Sequence, residues 1–564
     1  MNKKIISVVL SASMLVSALT SGCIAVNAAT EDKGAVAAQE VSSAGANDYR
    51  LAEDIQQGQI LQCWNWSFNN IKANMKKIAE QGFTAIQTSP VQGIKENVSG
   101  SSIQAKWWVY YQPINFSMDT SSGNPLGTKS QFKAMCDEAH KYGIRVIVDA
   151  VMNHMANKTK NDLSDKIISD LRNDPNCWYS IKVNSSIWTS RWDITHNCMD
   201  GLPDLNTSNV KVQNYAINFL KECIDAGADG FRFDGAKHIE VPNDLENASS
   251  NYWSNVLGQA TSYAKSKRGI TPYYYGEVLH ETGGKQPIVN QYTSLMSITA
   301  NGVGNDIRTK VSQGNAAAAV RTDLKYSEGS QPVPNKAVLW NESHDNYANE
   351  KTYQLSETVL KKTWAIVGTR ADICGLYFAR PSSMNAALGS AAITGWADKE
   401  VREINRFKNY MVGKSESLSS SGSIAYNERG TEGVVLVNCG GTTANVDVPA
   451  KKMASGTYTD AVTGSTFTVS GGRIKGKIGS TGIAVVYNEN PPVLVGDTDG
   501  DKSISIIDAT SIQSHLVKLK TLSGSNLEAA DVNKDNSVSV LDVTCIQCYL
   551  VGLTSKSGSC GKTA

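Results

Sequence analysis

Apolar residues at helical spacing, closed by a glycine and followed by a short apolar run, recur along this chain. The stretch 71–81 carries the first helical pattern, Gly82 ends it, and Phe83-Thr84-Ala85-Ile86-Gln87-Thr88-Ser89-Pro90 reads as a strand that turns polar at its C-terminal end. The second copy sets Phe132, Met135, Ala139 and Tyr142 on one helix face, then Gly143, then Ile144-Arg145-Val146-Ile147-Val148-Asp149. The third has Tyr215, Phe219 and Ile224, then Gly227, then Gly230-Phe231-Arg232-Phe233-Asp234. Further strand runs follow at 273–277, 337–342 and 373–378. Helices alternating with near-continuous apolar strands predict a parallel sheet covered by helices. A span of about 350 residues with acids at strand ends points to a (β/α)8 TIM barrel. The alternative, a doubly wound sheet, lacks its glycine-rich phosphate loop here.

The rest of the chain departs from this rhythm. The irregular stretch 153–209 is too long for one helix and its turns, and reads as a small subdomain inserted into a barrel of residues 48–152 and 210–412. Over 413–488, runs such as Gly433-Val434-Val435-Leu436-Val437-Asn438 alternate with Gly/Ser/Thr turns and predict an antiparallel β-sandwich. Asn488-Glu489-Asn490-Pro491-Pro492 opens a linker, 489–494. Residues 495–558 hold an internal repeat. Asp497, Asp499, Asp501, Ser503, Ser505 and Asp508 are echoed by Asp531, Asn533, Asp535, Ser537, Ser539 and Asp542 at an offset of 34 residues (531 − 497). A helix is predicted after each loop, over 509–517 and 543–551.

At the N-terminus, Asn2-Lys3-Lys4, the apolar stretch 5–19 and Val26-Asn27-Ala28 form the pattern of a cleaved export signal, residues 1–28. A lipoprotein signal ending at Cys23 is the rival, opposed by Thr20 where a leucine is expected. Residues 29–47 read as a flexible leader. No later stretch reaches the roughly 18 apolar residues of a membrane span, so a secreted, extracellular protein is expected.

Composition narrows the functional classes. Lys and Arg number 54 against 53 Asp and Glu, a formal charge of +1, which gives no electrostatic reason to expect nucleic acid. Eleven cysteines in 564 residues are too dilute for a disulfide scaffold. Cys177 and Cys198 could bridge within the insert; Cys545 and Cys548 lack the second pair that a zinc site needs. All eleven tryptophans lie between Trp64 and Trp396, so flat-ligand chemistry belongs to the first two-thirds.

Four clusters fall at barrel strand ends, where such barrels build their sites. They are Asp149-Ala150-Val151-Met152-Asn153-His154, Gly230–His238, Gly276-Glu277-Val278-Leu279-His280, and Asn341-Glu342-Ser343-His344-Asp345. These strings resemble, in order and spacing, the conserved regions of the α-amylase family of glycoside hydrolases (family 13). Leu202-Pro203-Asp204-Leu205-Asn206 is similar to a further motif of that family, and Trp107-Trp108-Val109-Tyr110-Tyr111-Gln112-Pro113 resembles its sugar-stacking loop. The resemblance covers residues 50–490 and is nearest to secreted bacterial α-amylases. It implies Asp234 as nucleophile, Glu277 as acid/base and Asp345 as a third acid gripping sugar hydroxyls. The acid needs a raised pKa, expected from burial near other carboxylates, while Arg232 is expected to hold Asp234 ionised. His154, His344, His238, Lys237, Gln112 and Arg232 would serve the substrate, with Tyr111 and Trp108 as stacking platforms. A structural calcium would sit among the Asn153 side chain, the Asp204 carboxylate and the backbone oxygens of Thr195 and His238.

The C-terminal repeat is similar to a dockerin, the module that plugs enzymes into cohesin-bearing scaffold proteins. It implies two more calcium ions, held by oxygen ligands at loop positions 1, 3, 5, 9 and 12. Lys502 and Asn536 stand where such loops carry glycine, and Ile506-Ile507 and Val540-Leu541 where many dockerins carry Ser/Thr. The expected function is endo-hydrolysis of α-1,4 bonds in starch and α-glucan oligosaccharides, delivered to a multi-enzyme complex through a cohesin. A glucanotransferase or branching enzyme of the same family is the alternative. A noncatalytic glucan-binding component is disfavoured because all three acids are present.

Overall fold

The computed structural model describes residues 49–118, 124–183, 190–278, 285–327, 329–488, 493–501 and 503–562. The expected signal and leader, Cys23, His280, Lys502 and most of the linker fall outside these residues.

Eight parallel strands close into a barrel in the order β1 (Gln59–Gln62), β2 (Ala85–Gln87), β3 (Arg145–Val151), β6 (Gly230–Asp234), β7 (Tyr273–Gly276), β8 (Ser297–Thr299), β9 (Ala337–Trp340) and β10 (Cys374–Phe378), which pairs back to β1. β4 (Trp178–Ser180) and β5 (Asp204–Leu205) form a separate antiparallel pair in the insert between β3 and β6. The helix–glycine–strand rhythm has clear local causes. Ser67 caps helix Phe68–Glu80, whose Phe68, Ile71, Met75 and Ile78 are buried. A reciprocal Thr128/Gln131 capping box starts helix Lys129–Lys141. Gly227, with φ 112°, ends helix Val210–Asp225, and a Cβ there would stand 2.5 Å from Cys136 Cβ, so both backbone and packing demand glycine.

Strand alternation sorts the core. Ile60, Ala85, Ile147, Tyr275, Val338 and Leu376 fill the barrel interior, while Val146 and Val148 face the helices. Asp149 lies two residues beyond Ile147 on the same face of β3, so the polar layer sits at the C-terminal mouth directly above the apolar plug. In register, Asp149 pairs with Arg232 and Val151 with Asp234.

Beyond the barrel, β11 (Glu416–Ser421), β12 (Ile424–Arg429), β13 (Gly433–Asn438), β14 (Ala444–Pro449), β15 (Gly456–Asp460), β16 (Thr466–Ser470), β17 (Arg473–Ile478) and β18 (Ile483–Tyr487) form one antiparallel sheet, ordered β11-β12-β13-β18-β15-β16-β17-β14. Its two ends face each other across a core that includes Tyr426, Leu436, Val448, Phe467, Ile474 and Val486, so the sandwich is one sheet bent over itself. The last segment holds helices Ile506–Leu516, Gly524–Ala530 and Val540–Leu550 around Ala509, Ile512, Val532, Val543 and Ile546. Its outer helices begin three residues earlier than their apolar patterns suggest. Ser505 and Ser539 cap them in capping boxes with Asp508 and Asp542, which draws Ile506-Ile507 and Val540-Leu541 into the first turn. Among the described residues no helix is long and apolar enough to cross a membrane.

Candidate functional site

The barrel mouth is organised by one guanidinium. Arg232 Nη1 reaches Asp149 Oδ1 at 2.7 Å and Asp234 Oδ1 at 2.8 Å, while Nη2 reaches Glu277 Oε2 at 2.9 Å. Glu277 Oε2 also accepts the Gly235 amide at 2.9 Å. Arg232, two residues before Asp234 on β6, shares its strand face, and Glu277 follows β7, the next strand round the barrel. Asp345 enters from the helix after β9, in its first turn beside His344. The His344 ring lies parallel to Tyr111, with centroids 5.0 Å apart and an interplanar angle of 6°, and its Nε2 is 3.5 Å from Asp345 Oδ2. Tyr111 donates its hydroxyl to Asp149 Oδ2 at 3.1 Å, and His154 Nε2 meets Tyr111 O at 3.0 Å. All eight of these side chains therefore converge on one rim.

Three carboxylates sharing one cation cannot all be fully compensated. Burial lifts Asp149 to about 7, with Arg232 pulling down and Asp234 pushing up. Burial likewise raises Asp234 and Asp345. Burial would raise Glu277 too, but Arg232, the Gly235 amide, His344 and Lys237 together hold it below its usual value. The sequence expectations for the two acids are thus reversed here: Glu277 has a guanidinium nitrogen and an amide on one oxygen, whereas Asp234 divides Nη1 with Asp149. Burial and Arg232 hold the His344 imidazolium down to about 4, so the ring is neutral at neutral pH.

The remaining expected substrate residues are placed unequally. Lys237 is buried at the rim, with its amide donating to Glu277 O at 3.2 Å. Gln112 Oε1 is buried without a hydrogen-bond partner, as is His154 Nδ1. The His238 ring is buried and its Nδ1 lies 2.7 Å from Ile194 O in the insert. Trp108 lies beneath the Lys95 ammonium at 5.5 Å. Its neighbour Trp107 instead joins Trp64, His344 and Tyr111 in the ring cluster at 5.8–6.1 Å.

Two oxygen sets suit a hard cation. Asn153 and Asp204 are almost fully buried, and Asn153 Nδ2 donates to Asp204 Oδ1 at 3.0 Å. Asn153 Oδ1 and Asp204 Oδ2 are buried with no hydrogen-bond partner, and burial together with Glu240 raises the Asp204 carboxyl well above its usual range. The His238–Ile194 contact brings the residue before Thr195 to His238. Such buried oxygens without donors fit Ca²⁺ chemistry. In the C-terminal repeat, carboxylate oxygens of Asp497, Asp499 and Asp501 lie within 4.8 Å of one another. Asp508 closes this loop by accepting the Thr498 and Ser505 amides at 2.7 and 2.8 Å, and Asp542 repeats the pattern with Val532 and Ser539 at 2.7 and 2.8 Å. Ser505 and Ser539 point their hydroxyls at the helix amides of Ile507 and Leu541. At position 4, Gly500 (φ 78°) and Lys534 (φ 61°) take the left-handed turn, joined in the second loop by Asn536 (φ 65°).

Comparison with known proteins agrees with this layout. The family profile "Alpha amylase, catalytic domain" matches residues 71–294, and "Dockerin type I domain" matches residues 495–551. The chain carries an α-amylase catalytic domain and a type I dockerin domain. An α-amylase of Clostridium acetobutylicum is 36% identical over 458 residues, covering 80% of this chain and 56% of the relative. One of Butyrivibrio fibrisolvens is 30% identical over 509 residues, covering 81% and 51%. The chain thus spans about half the length of these curated relatives. In fold, wild-type α-amylase I of Eisenia fetida superposes with TM-score 0.60 at 16% identity, covering 77% of this chain and 97% of that one. A γ-cyclodextrin glucanotransferase from an alkalophilic Bacillus clarkii gives TM-score 0.58 at 14% identity, covering 78% and 72%.

Three residues of the α-amylase domain's mouth escaped the sequence reading. Asp149 is visible in its cluster, but nothing in the sequence shows that it shares Arg232 Nη1 with Asp234. Trp107 is indistinguishable from Trp108 in a Trp-Trp pair. Gln62, at the end of β1, gives no signal at all, yet its Nε2 lies 3.1 Å from His344 Nδ1. With the amide donating there, the neutral ring keeps its proton on Nε2, the nitrogen facing Asp345. Gln62→Leu should therefore lower kcat/KM by about tenfold, the worth of roughly one hydrogen bond to a working side chain, while the thermal midpoint stays near that of the wild type.

Proposed function

We propose that this chain is an extracellular, endo-acting, retaining α-amylase, tethered by its dockerin to a cohesin-bearing scaffold. The observation that carries the reading is the triple grip of Arg232 on Asp149, Asp234 and Glu277. Two carboxylates at the two ends of one guanidinium favour the separation of roughly 5–5.5 Å of retaining pairs over the roughly 6.5–9.5 Å of inverting ones. Glu277 would give its proton to the glycosidic oxygen as that bond breaks. An Asp234 oxygen would bond to the anomeric carbon, forming a glycosyl ester. Glu277 would then take a proton from water, whose oxygen displaces Asp234 and restores the α-anomer. Tyr111, stacked against His344, offers a flat wall to the sugar, and Asp345 faces its hydroxyls. Asn153 and Asp204, with the Thr195 and His238 backbone oxygens, would hold a calcium ion that ties the insert to the β6 segment. The two dockerin loops would hold two more, and such ions supply the charge that packed oxygens need to stay together.

Because Glu277 is held low, the proton it donates belongs to the coupled cluster of Asp149, Asp234, Glu277 and Asp345 rather than to one carboxyl. The profile of kcat/KM should be a bell. It should fall below an acid limb displaced upward from the ordinary aspartate value by the raised Asp234, and above an alkaline limb at about 7, where Asp149 and Asp345 lose their protons. Stopped assays between pH 4 and 9 read both limbs, and a flat profile through pH 7 contradicts the shared proton. NMR of freshly released sugar should show the α-anomer first. A chromatogram of products against time on amylose should show new reducing ends rather than redistributed chain lengths, which separates hydrolysis from glucan transfer.

A further inference from the structure

Trp192 is the exposed tryptophan among the described residues, with 45% of its surface open. A lone exposed apolar side chain ordinarily needs no explanation, but three features set this ring apart. Its orientation is fixed: it stacks on His196 with centroids 3.7 Å apart at 11°, and Tyr179 backs the same His196 ring at 4.0 Å. Tyr179 is held in turn by its hydroxyl on the buried Glu240. Its backbone is fixed as well. The Trp192 amide donates to Glu246 at 3.0 Å, and the preceding Arg191, almost wholly buried, bonds Asp244 at 2.8 Å and the Lys237 and Ile239 carbonyls. Thirdly, both segments that hold it, the insert after β3 and the loop after β6, leave the barrel at the C-terminal mouth, the face that carries Asp234. A rigid flat ring among polar neighbours, tied through Arg191 to the Lys237 backbone, suits one pyranose face. It is far smaller than the roughly 800 Å² per partner of a protein interface.

We propose that Trp192 is a secondary α-glucan platform, engaged by chains long enough to run from the catalytic mouth onto the insert. This rests on the α-glucan reading above. Substrate length provides the test, with amylose and maltotetraose as paired substrates. Trp192→Ala should raise KM and lower kcat/KM on amylose by about 2- to 10-fold, the equivalent of one aromatic stacking contact, with maltotetraose kinetics unchanged. Trp192→Tyr should recover most of the loss. Should the alanine variant lose its fold, Trp192→Leu keeps apolar bulk without a flat face and carries the same expectation. Unchanged amylose kinetics, or an equal loss on both substrates, would overturn the platform while leaving the amylase reading intact. A wild-type chain inactive on both substrates would overturn the α-glucan reading and the platform with it.

Discussion

Glu277→Gln should reduce hydrolysis of amylose by roughly 10²–10⁴-fold, the usual worth of a positioned general acid, and Asp234→Asn by at least as much. Both substitutions keep the shape and hydrogen-bonding reach of the side chain, so what disappears is the proton donor or the anionic nucleophile rather than packing. The folded state should tolerate them, because Arg232 retains two of its three carboxylates in either variant. Burial raises the Asp234 carboxyl. Its folded pKa is raised above the unfolded value, so the stabilisation it contributes is fully present at low pH and is lost as pH rises through the folded pKa. A neutral amide escapes that loss, and the thermal midpoint of Asp234→Asn at pH 8 should match or exceed that of the wild type. Turnover and melting are read on the same preparations. Wild-type-like turnover in either variant removes Asp234 or Glu277 from its role, and a collapsed midpoint in Asp234→Asn removes the account of the crowded guanidinium.

The barrel was legible because its strands are buried on both faces and its helices end at glycines that the turn geometry demands. β1 and β8 were not. Gln59-Ile60-Leu61-Gln62 has polar ends, and Ser297-Ile298-Thr299 is three residues long, so neither gives an apolar run; both are strands only because neighbours close the barrel around them. The acids at the mouth were legible as residues but not as charges. Spacing along β6 places Arg232 and Asp234 on one face, yet how one cation is divided among Asp149, Asp234 and Glu277 depends on three different strands. In the C-terminal repeat, the apolar pattern located both helices, but their first turns lie under serine caps. Those caps turn Ile506, Ile507, Val540 and Leu541 outward, each 53–60% exposed. Positions 506 and 540 differ by the repeat offset of 34, so the two halves present matching apolar pairs.

Chelation should abolish capture by a cohesin domain before it abolishes starch hydrolysis. The dockerin has a small core, chiefly Val495, Ala509, Ile512, Leu522, Ala530, Val532, Val543 and Ile546. A module of about 60 residues with so little buried surface usually needs metal to fold. Its first loop also crowds the oxygens of Asp497, Asp499 and Asp501 within 4.8 Å of one another, an arrangement that like charges oppose without a cation. The barrel stands on a far larger core, so loss of a calcium at Asn153 and Asp204 should lower its melting temperature first and its activity later. Titrating EDTA into one sample while following cohesin capture and amylase activity should therefore give two separated transitions, capture first. Replacing Asp497 and Asp531 together by Ala should copy the capture defect with hydrolysis unchanged. Either replacement alone should cost less, since the other helix still presents its apolar pair, Ile506-Ile507 or Val540-Leu541. Capture that persists in the double variant, or activity that disappears before capture, would show that the repeat is not folded by calcium into the scaffold-binding module.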